Sequence, residues 1–121
     1  KNRPLMGSCA GLITLAEKVN NAPFTPMGLI DIEVRRNGYG RQIDSFIDQV
    51  RIPGFKPPRF EGVFIRAPRI LSHGPSVSIL ALHGEEPVMA ANESVLVMSF
   101  HPELTNDTRV HRYFIRQFIL K

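Results

Sequence analysis

A single cysteine, Cys9, is the only thiol in this chain. No internal disulfide can form, so nothing in the sequence calls for an oxidising compartment, and a cytoplasmic location is the expectation. No apolar run approaches the roughly 20 residues that cross a bilayer, and no charged-then-apolar leader opens the chain; a protein neither membrane-spanning nor exported is expected. Of the histidines, His73, His83 and His111 have neither metal-ligand spacing nor cysteine or paired carboxylate companions. They read as surface or core-edge residues, and no metal site is expected. The net charge of +4 comes mainly from scattered arginines. There is no lysine-rich tail and none of the aromatic interleaving that marks single-strand binders, which disfavours a nucleic-acid partner. Internal repeats and low-complexity tracts are also missing.

What is present is one domain's worth of ordinary globular sequence: 121 residues, 43% of them hydrophobic, enough to bury one contiguous core over 1–121. Pro4 to Gly7 suits a buried parallel strand, and Leu12 to Val19 carries apolar residues at helical spacing, so the chain opens with a βα unit. Residues 20–28, with Pro23, Pro26 and Gly28, read as a loop. Ile30, Ile32 and Val34 alternate with Asp31 and Glu33, the period of a half-exposed strand. Arg35 to Gln42 is polar and glycine-punctuated, a surface loop or a ligand-facing segment. After a second break at Ile52 to Arg59, the stretch Gly62 to Pro68 is an apolar strand bearing one arginine. Val77 to Leu82, Val88 to Ala91 and Val95 to Phe100 predict three short strands joined by turns, hence an antiparallel part of the sheet. Thr105 to Thr108 offers N-cap chemistry to a last helix with Val110, Tyr113, Phe114 and Phe118 on its apolar face. Arg109, Arg112 and Arg116 line the other face, which reads as solvated. An intact α/β domain usually has an earlier strand and crossover, so a piece of a longer protein is the expectation.

Two stretches carry chemistry. In Met6-Gly7-Ser8-Cys9-Ala10-Gly11 the glycines stand at the spacing of a G-x-S-x-G nucleophile elbow, with cysteine at the centre. A thiol at a helix N-terminus faces unpaired amides and the positive end of the dipole, which favours the thiolate. A lone cysteine in an apolar segment is as often a buried, inert side chain, and the motif alone leaves both readings open. In His101-Pro102-Glu103 the proline predicts extended backbone, which would project His101 and Glu103 to the same side. A carboxylate on one ring nitrogen fixes the tautomer and leaves the other nitrogen to exchange a proton with a nucleophile. Alone, this tripeptide could equally be a surface turn. Both stretches follow strands, however, so a doubly wound sheet would bring nucleophile, base and orienter to one edge. Arg36 and Arg66, each where strand meets loop, could clamp a carboxylate or serve structural ion pairs.

Gly7-Ser8-Cys9-Ala10-Gly11 and His101-Pro102-Glu103 resemble the class I, triad-type glutamine amidotransferases. Arg36-Asn37-Gly38-Tyr39-Gly40-Arg41-Gln42, Gly62-Val63-Phe64-Ile65-Arg66-Ala67-Pro68 and Ser99 to Thr105 with Arg109-Val110-His111 resemble, more narrowly, the glutaminase subunits of pyridoxal 5′-phosphate synthase. The resemblance implies an α/β fold, a three-layer α/β/α sandwich of flavodoxin-like type that lacks its N-terminal strands here. It implies Cys9 as nucleophile, His101 as general base and acid, Glu103 as its orienter and the Ala10 backbone amide as an oxyanion donor. Arg36, Ile65 and Arg66 become glutamine-binding positions. It further implies no cofactor and no metal, hydrolysis of L-glutamine to L-glutamate, and delivery of ammonia to a (β/α)8-barrel synthase subunit in a hetero-oligomer. The chain departs from the family at Ser8, where threonine is usual, at Ile47, where an acidic residue is common, and over Pro53 to Pro58, a longer insertion. The family's opening strands and Gly-Gly-Glu-Ser loop have no counterpart, so the chain reads as its C-terminal two thirds. Rival readings are an amidotransferase domain of another pathway and a catalytically incomplete interaction module.

Overall fold

The computed structural model describes residues 3–20, 22–36 and 45–120. The opening strand, β1 (Leu5–Ser8), is parallel to β9 (Val95–Met98), with Leu5 opposite Val95 and Ser8 opposite Met98. A parallel pair cannot be joined by a hairpin, so everything between the two strands is the connection.

The first helix is shorter than its apolar spacing predicts. α1 covers Ala10–Leu15, and β2 (Ala16–Asn20) follows without a loop, parallel to β3 (Ile30–Arg35). Ala, Glu and Lys are good helix formers, but pairing overrides propensity here. The carbonyls of Thr14, Leu15 and Ala16, orphaned at the helix end, accept the amides of Met27, Leu29 and Gly28 at 2.8, 2.9 and 3.0 Å. Met27, Gly28 and Leu29 thus stop the helix by satisfying its last carbonyls. In β3 the expected alternation holds: Ile30, Ile32 and Val34 are buried and Asp31 is exposed.

Besides β2, which the sequence reads as helix, two strands have no counterpart in the sequence reading. β6 (Arg69–His73) pairs antiparallel with β3 and completes a three-stranded sheet, order β2-β3-β6. β4 (Ser45–Arg51) pairs residue for residue with β5 (Arg59–Ile65). Each buries a single residue, Ile70 and Val50, so neither shows an apolar period. What fixes β4 is cross-strand contact, with Phe46 stacked on Phe64 at a centroid distance of 4.7 Å. Residues 37–42 of the glycine-punctuated segment lie outside the described residues.

β7 (Ser78–His83), β8 (Glu86–Ala91) and β9 form the expected antiparallel run, and the six-stranded sheet has the order β1-β9-β8-β7-β4-β5. Its centre is covered on both faces. Met89, Leu96 and Met98 join Phe60, Phe64 and Phe100 in one core, whereas Ala90, Val95 and Val97 join Leu12, Ile30, Ile32 and Val34 in another. Burial on both faces explains why β8 and β9 read as unbroken apolar runs. The described residues therefore form mixed sheets with few helices.

α2 (Arg109–Phe114) continues into a π-helical turn over Ile115–Ile119 and lays Val110, Tyr113, Phe114 and Phe118 on the first core. The cap comes from within the expected stretch, from Asp107 and not from the N-cap residue Thr108. The Thr108 hydroxyl accepts from Arg112 Nε at 3.0 Å, while the Asp107 carboxylate accepts the Arg109 amide at 3.1 Å. The solvated reading fails for Arg109. Its guanidinium donates to the Pro57 and Arg59 carbonyls at 2.6 Å each, pairs with Asp107 at 2.8 Å and lies over the Phe55 ring at 5.3 Å. The proline-rich loop over 52–59 is thereby tied to α2. Arg109→Met, which keeps the apolar stem and removes the donors, is expected to cost about 2 kcal/mol, and a lowered denaturant midpoint at constant m would show it.

Candidate active site

Between the last residue of β1 and the first of α1 there is one residue, and it is Cys9. It makes the turn at φ 53° and ψ −101°, outside the comfortable regions of an L residue. Such a conformation costs on the order of 1–3 kcal/mol and persists only where neighbours hold it. Its amide donates to Met98 O at 2.8 Å on the partner strand, and its carbonyl accepts from Ile13 N at 3.2 Å inside the helix. The elbow expected from the glycine spacing is present.

The thiol donates to the Ile65 carbonyl at 3.4 Å, and the His101 amide donates to the Val63 carbonyl at 2.8 Å. Val63 and Ile65 are two apart on β5, so their carbonyls point to the same side. Among the described residues β5 is the outer strand of the sheet and pairs with β4 alone, yet it meets residues that follow β1 and β9. The sheet curls until the edge of β5 reaches the ends of β1 and β9, bringing Cys9 and His101 to one place.

His101 Nδ1 lies 2.6 Å from Glu103 Oε2, and Ser8 Oγ donates to Glu103 Oε1 at 3.4 Å. Beside an ionised carboxylate the Nδ1 position carries the hydrogen, which leaves Nε2 as the basic nitrogen. The pairing arises otherwise than the sequence predicts. His101, at φ −107° and ψ 89°, is non-helical as the following proline demands, but Pro102–Leu104 then form a 3-10 turn. Glu103 is folded back onto the ring rather than projected alongside it from extended backbone.

Burial pushes the Cys9 thiol above its ordinary value; the Ala10 amide opposes this and the Glu103 charge adds to it. The expected thiolate preference is therefore overturned: α1 has only six residues, and desolvation outweighs its N-terminal end. For Glu103, burial pushes upward, but the His101 ring, its own amide and the Ser8 hydroxyl together hold the carboxyl below its ordinary value. The resting pair is a neutral thiol and an ionised, oriented carboxylate.

Ala10, the first helical residue, has an amide with no partner within the helix, and that amide faces the sulfur. Ile65 ends β5 and Arg66 follows it, in the left-handed region at φ 48°. Arg66 has no partner among the described residues. Arg36 is half-buried in the turn after β3. Because Arg35 stands opposite Arg69 in the β3–β6 ladder, Arg36 lies at the same end of that sheet as the Arg66-Ala67-Pro68 link into β6. No group of three His, Cys, Asp or Glu among the described residues could hold a metal ion. No helix among them is long and apolar enough to cross a membrane.

A model of the SNO glutamine amidotransferase family matches residues 1–120. The chain belongs to that family. It is 54% identical over 113 residues to the pyridoxal 5′-phosphate synthase subunit PdxT of Fervidobacterium nodosum, covering 93% of this chain and 59% of that protein. It is 46% identical over 112 residues to the Thermotoga maritima subunit of the same name, covering 93% and 60%. A solved structure described as a glutamine amidotransferase superposes with a TM-score of 0.88 at 43% identity, covering 94% of this chain and 60% of that one. The chain thus spans about 60% of the length of the curated relatives it matches.

Within this family the site includes groups that side-chain reasoning missed. The Val63, Ile65 and Met98 carbonyls hold the backbone of His101, the thiol and the backbone of Cys9, and main-chain acceptors leave no mark in residue type. Ser8 is a side-chain contribution: its hydroxyl donates to Glu103, although the residue reads from the sequence only as a departure from the family pattern.

Proposed function

We propose that the whole protein is a glutaminase that hydrolyses L-glutamine to L-glutamate and ammonia and delivers the ammonia to a pyridoxal 5′-phosphate synthase subunit. The observation that carries this reading is the strained Cys9 elbow sharing one hydrogen-bonded frame with the His101–Glu103 pair. The names of the relatives supply the pathway. The finer architecture, a three-layer α/β/α sandwich forming one domain over 1–121, and a cytoplasmic location belong to the same proposal.

Cys9 rests as a thiol, so attack on the glutamine amide carbon moves its proton to His101 as the carbon–sulfur bond forms. The Ala10 amide donates to the oxygen that becomes negative, stabilising charge absent from the ground state. His101 returns the proton to the leaving nitrogen, ammonia departs and a glutamyl thioester remains. Water then adds to the thioester with His101 again taking a proton, and glutamate leaves with the thiol restored. Glu103 fixes the ring tautomer throughout. Arg36, Ile65 and Arg66 hold glutamine, and a (β/α)8-barrel partner receives the ammonia. The reaction uses no cofactor or metal.

Glutamate formation from glutamine, measured on the whole protein with saturating synthase subunit, tests the proposal; no glutamate from a complex verified independently would reject it. Glu103→Gln is expected to lower kcat with KM nearly unchanged. The loss should be about tenfold to a hundredfold, smaller than for a fully buried triad carboxylate, because the Glu103 side chain is 47% exposed and water can replace part of its role.

A further inference from the structure

Between α2 and the loop over 52–59 lies a cavity of about 280 Å³, remote in sequence from the Cys9 elbow. Its lining includes Lys56, Arg109, Arg112 and Arg116, together with Tyr113 and Gln117, and no carboxylate. Arg109 is committed to Asp107 and the loop carbonyls, so it forms a fixed floor. The other three cations make no ion pair with any described residue. Arg112 has only its Nε engaged, on the Thr108 hydroxyl, which orients the guanidinium and leaves its terminal nitrogens to donate. Burial raises the Tyr113 phenol, so it keeps its hydrogen and can donate as well.

This arrangement differs from a solvated arginine stripe. On an open helix face like charges have no shared concavity, whereas here the loop that Arg109 ties down brings the exposed Lys56 to the same concavity as Arg112 and Arg116. Arg112 already feels the Asp107 charge, but Lys56 and Arg116 have no counter-charge within ion-pair distance among the described residues, and a bound dianion offsets the repulsion among the three cations. Planar guanidinium forks match the oxygens of a phosphoryl group. The volume suits a phosphate or diphosphate group with a short attached residue.

We infer that the cavity between α2 and the loop over 52–59 binds a small phosphorylated anion through Lys56, Arg112 and Arg116. The inference does not depend on the glutaminase reading.

Calorimetric titration of the whole protein with inorganic pyrophosphate at low ionic strength tests it. One-to-one saturable binding is expected, weakening as salt screens the exposed cations. The double variant Lys56→Gln with Arg116→Gln is expected to bind about tenfold more weakly. Both side chains are exposed and carry no hydrogen bond that holds the fold, so circular dichroism should be unchanged; Arg51→Gln, outside the cavity, should bind as the parent does. Unchanged affinity in the double variant, or acetate binding as tightly as pyrophosphate, would overturn the site. Association with anionic phospholipid vesicles but not with pyrophosphate would equally overturn it, since the occupant would then be a membrane surface.

Discussion

Cys9→Ala is expected to lower glutamine hydrolysis by the whole protein by a factor on the order of 10⁴ to 10⁶, and His101→Asn by a similar factor. The two losses should not add. Nucleophile and base act in one step, so removing either leaves the other without a task. The double variant should fall no further than the worse single one. The resting state of the thiol is open to a separate measurement. Burial disfavours the charged thiolate, so alkylation of Cys9 by iodoacetamide in the absence of glutamine should be slower at neutral pH than that of free cysteine. It should climb to its plateau through a midpoint above the ordinary thiol value. A midpoint well below that value would mean that a Cys9 thiolate and a His101 imidazolium already exist at rest. Fast hydrolysis by Cys9→Ala would remove the nucleophile assignment.

That measurement bears on one of two places in the site where the structure departs from the sequence reading, the other being the 3-10 turn that folds Glu103 onto His101. A thiol at a helix N-terminus reads as a thiolate, but the inference needs a helix long enough for its end to outweigh burial. α1 is shorter than its apolar spacing predicts. Residues 16–19 continue the apolar spacing of α1, three of them (Ala16, Glu17 and Lys18) are good helix formers, and pairing with β3, Ala16 opposite Ile30 and Val19 opposite Val34, makes them a strand. Nothing within six residues of Ala16 announces that partner. β4 and β6 were hidden for the related reason that strands burying one residue each show no period. By contrast, the alternation in β3 and the apolar runs of β8 and β9 were legible because burial of one face or both writes itself into residue type. The family resemblance lay in side-chain identities and so could be read directly. The frame that brings Cys9 and His101 together could not, because it is built from the carbonyls of Val63, Ile65 and Met98. The His101–Glu103 pair was anticipated, though through an extended tripeptide where the chain makes a 3-10 turn.

Gly7→Val is expected to destabilise the protein by about 3 kcal/mol or more and to take glutamine hydrolysis with it, whereas Gly11→Ala should be neutral or stabilising by about 0.5–1 kcal/mol. The sequence treats the two glycines alike, as small neighbours of the central cysteine, and the structure separates them. A Cβ on Gly7 would lie 2.8 Å from the Gly11 carbonyl carbon, 2.9 Å from its oxygen and 3.0 Å from Leu15 Cδ1. Two of those atoms are backbone in α1 and cannot swing aside, so relief requires the helix to move away from β1. That movement would carry the Ala10 amide and the strained Cys9 turn with it. A displacement of about 1 Å at a reacting centre is enough to cost roughly a hundredfold in rate. At Gly11 a Cβ meets nothing within 4 Å. Gly11 lies inside α1, where alanine has the higher helix propensity and a less disordered unfolded state. Denaturant titration of both variants, with glutamine hydrolysis by whatever remains folded, separates the two positions. A Gly7→Val protein as stable as the parent would show that β1 and α1 are not packed backbone to backbone, and the account of how the elbow is held would fall with it.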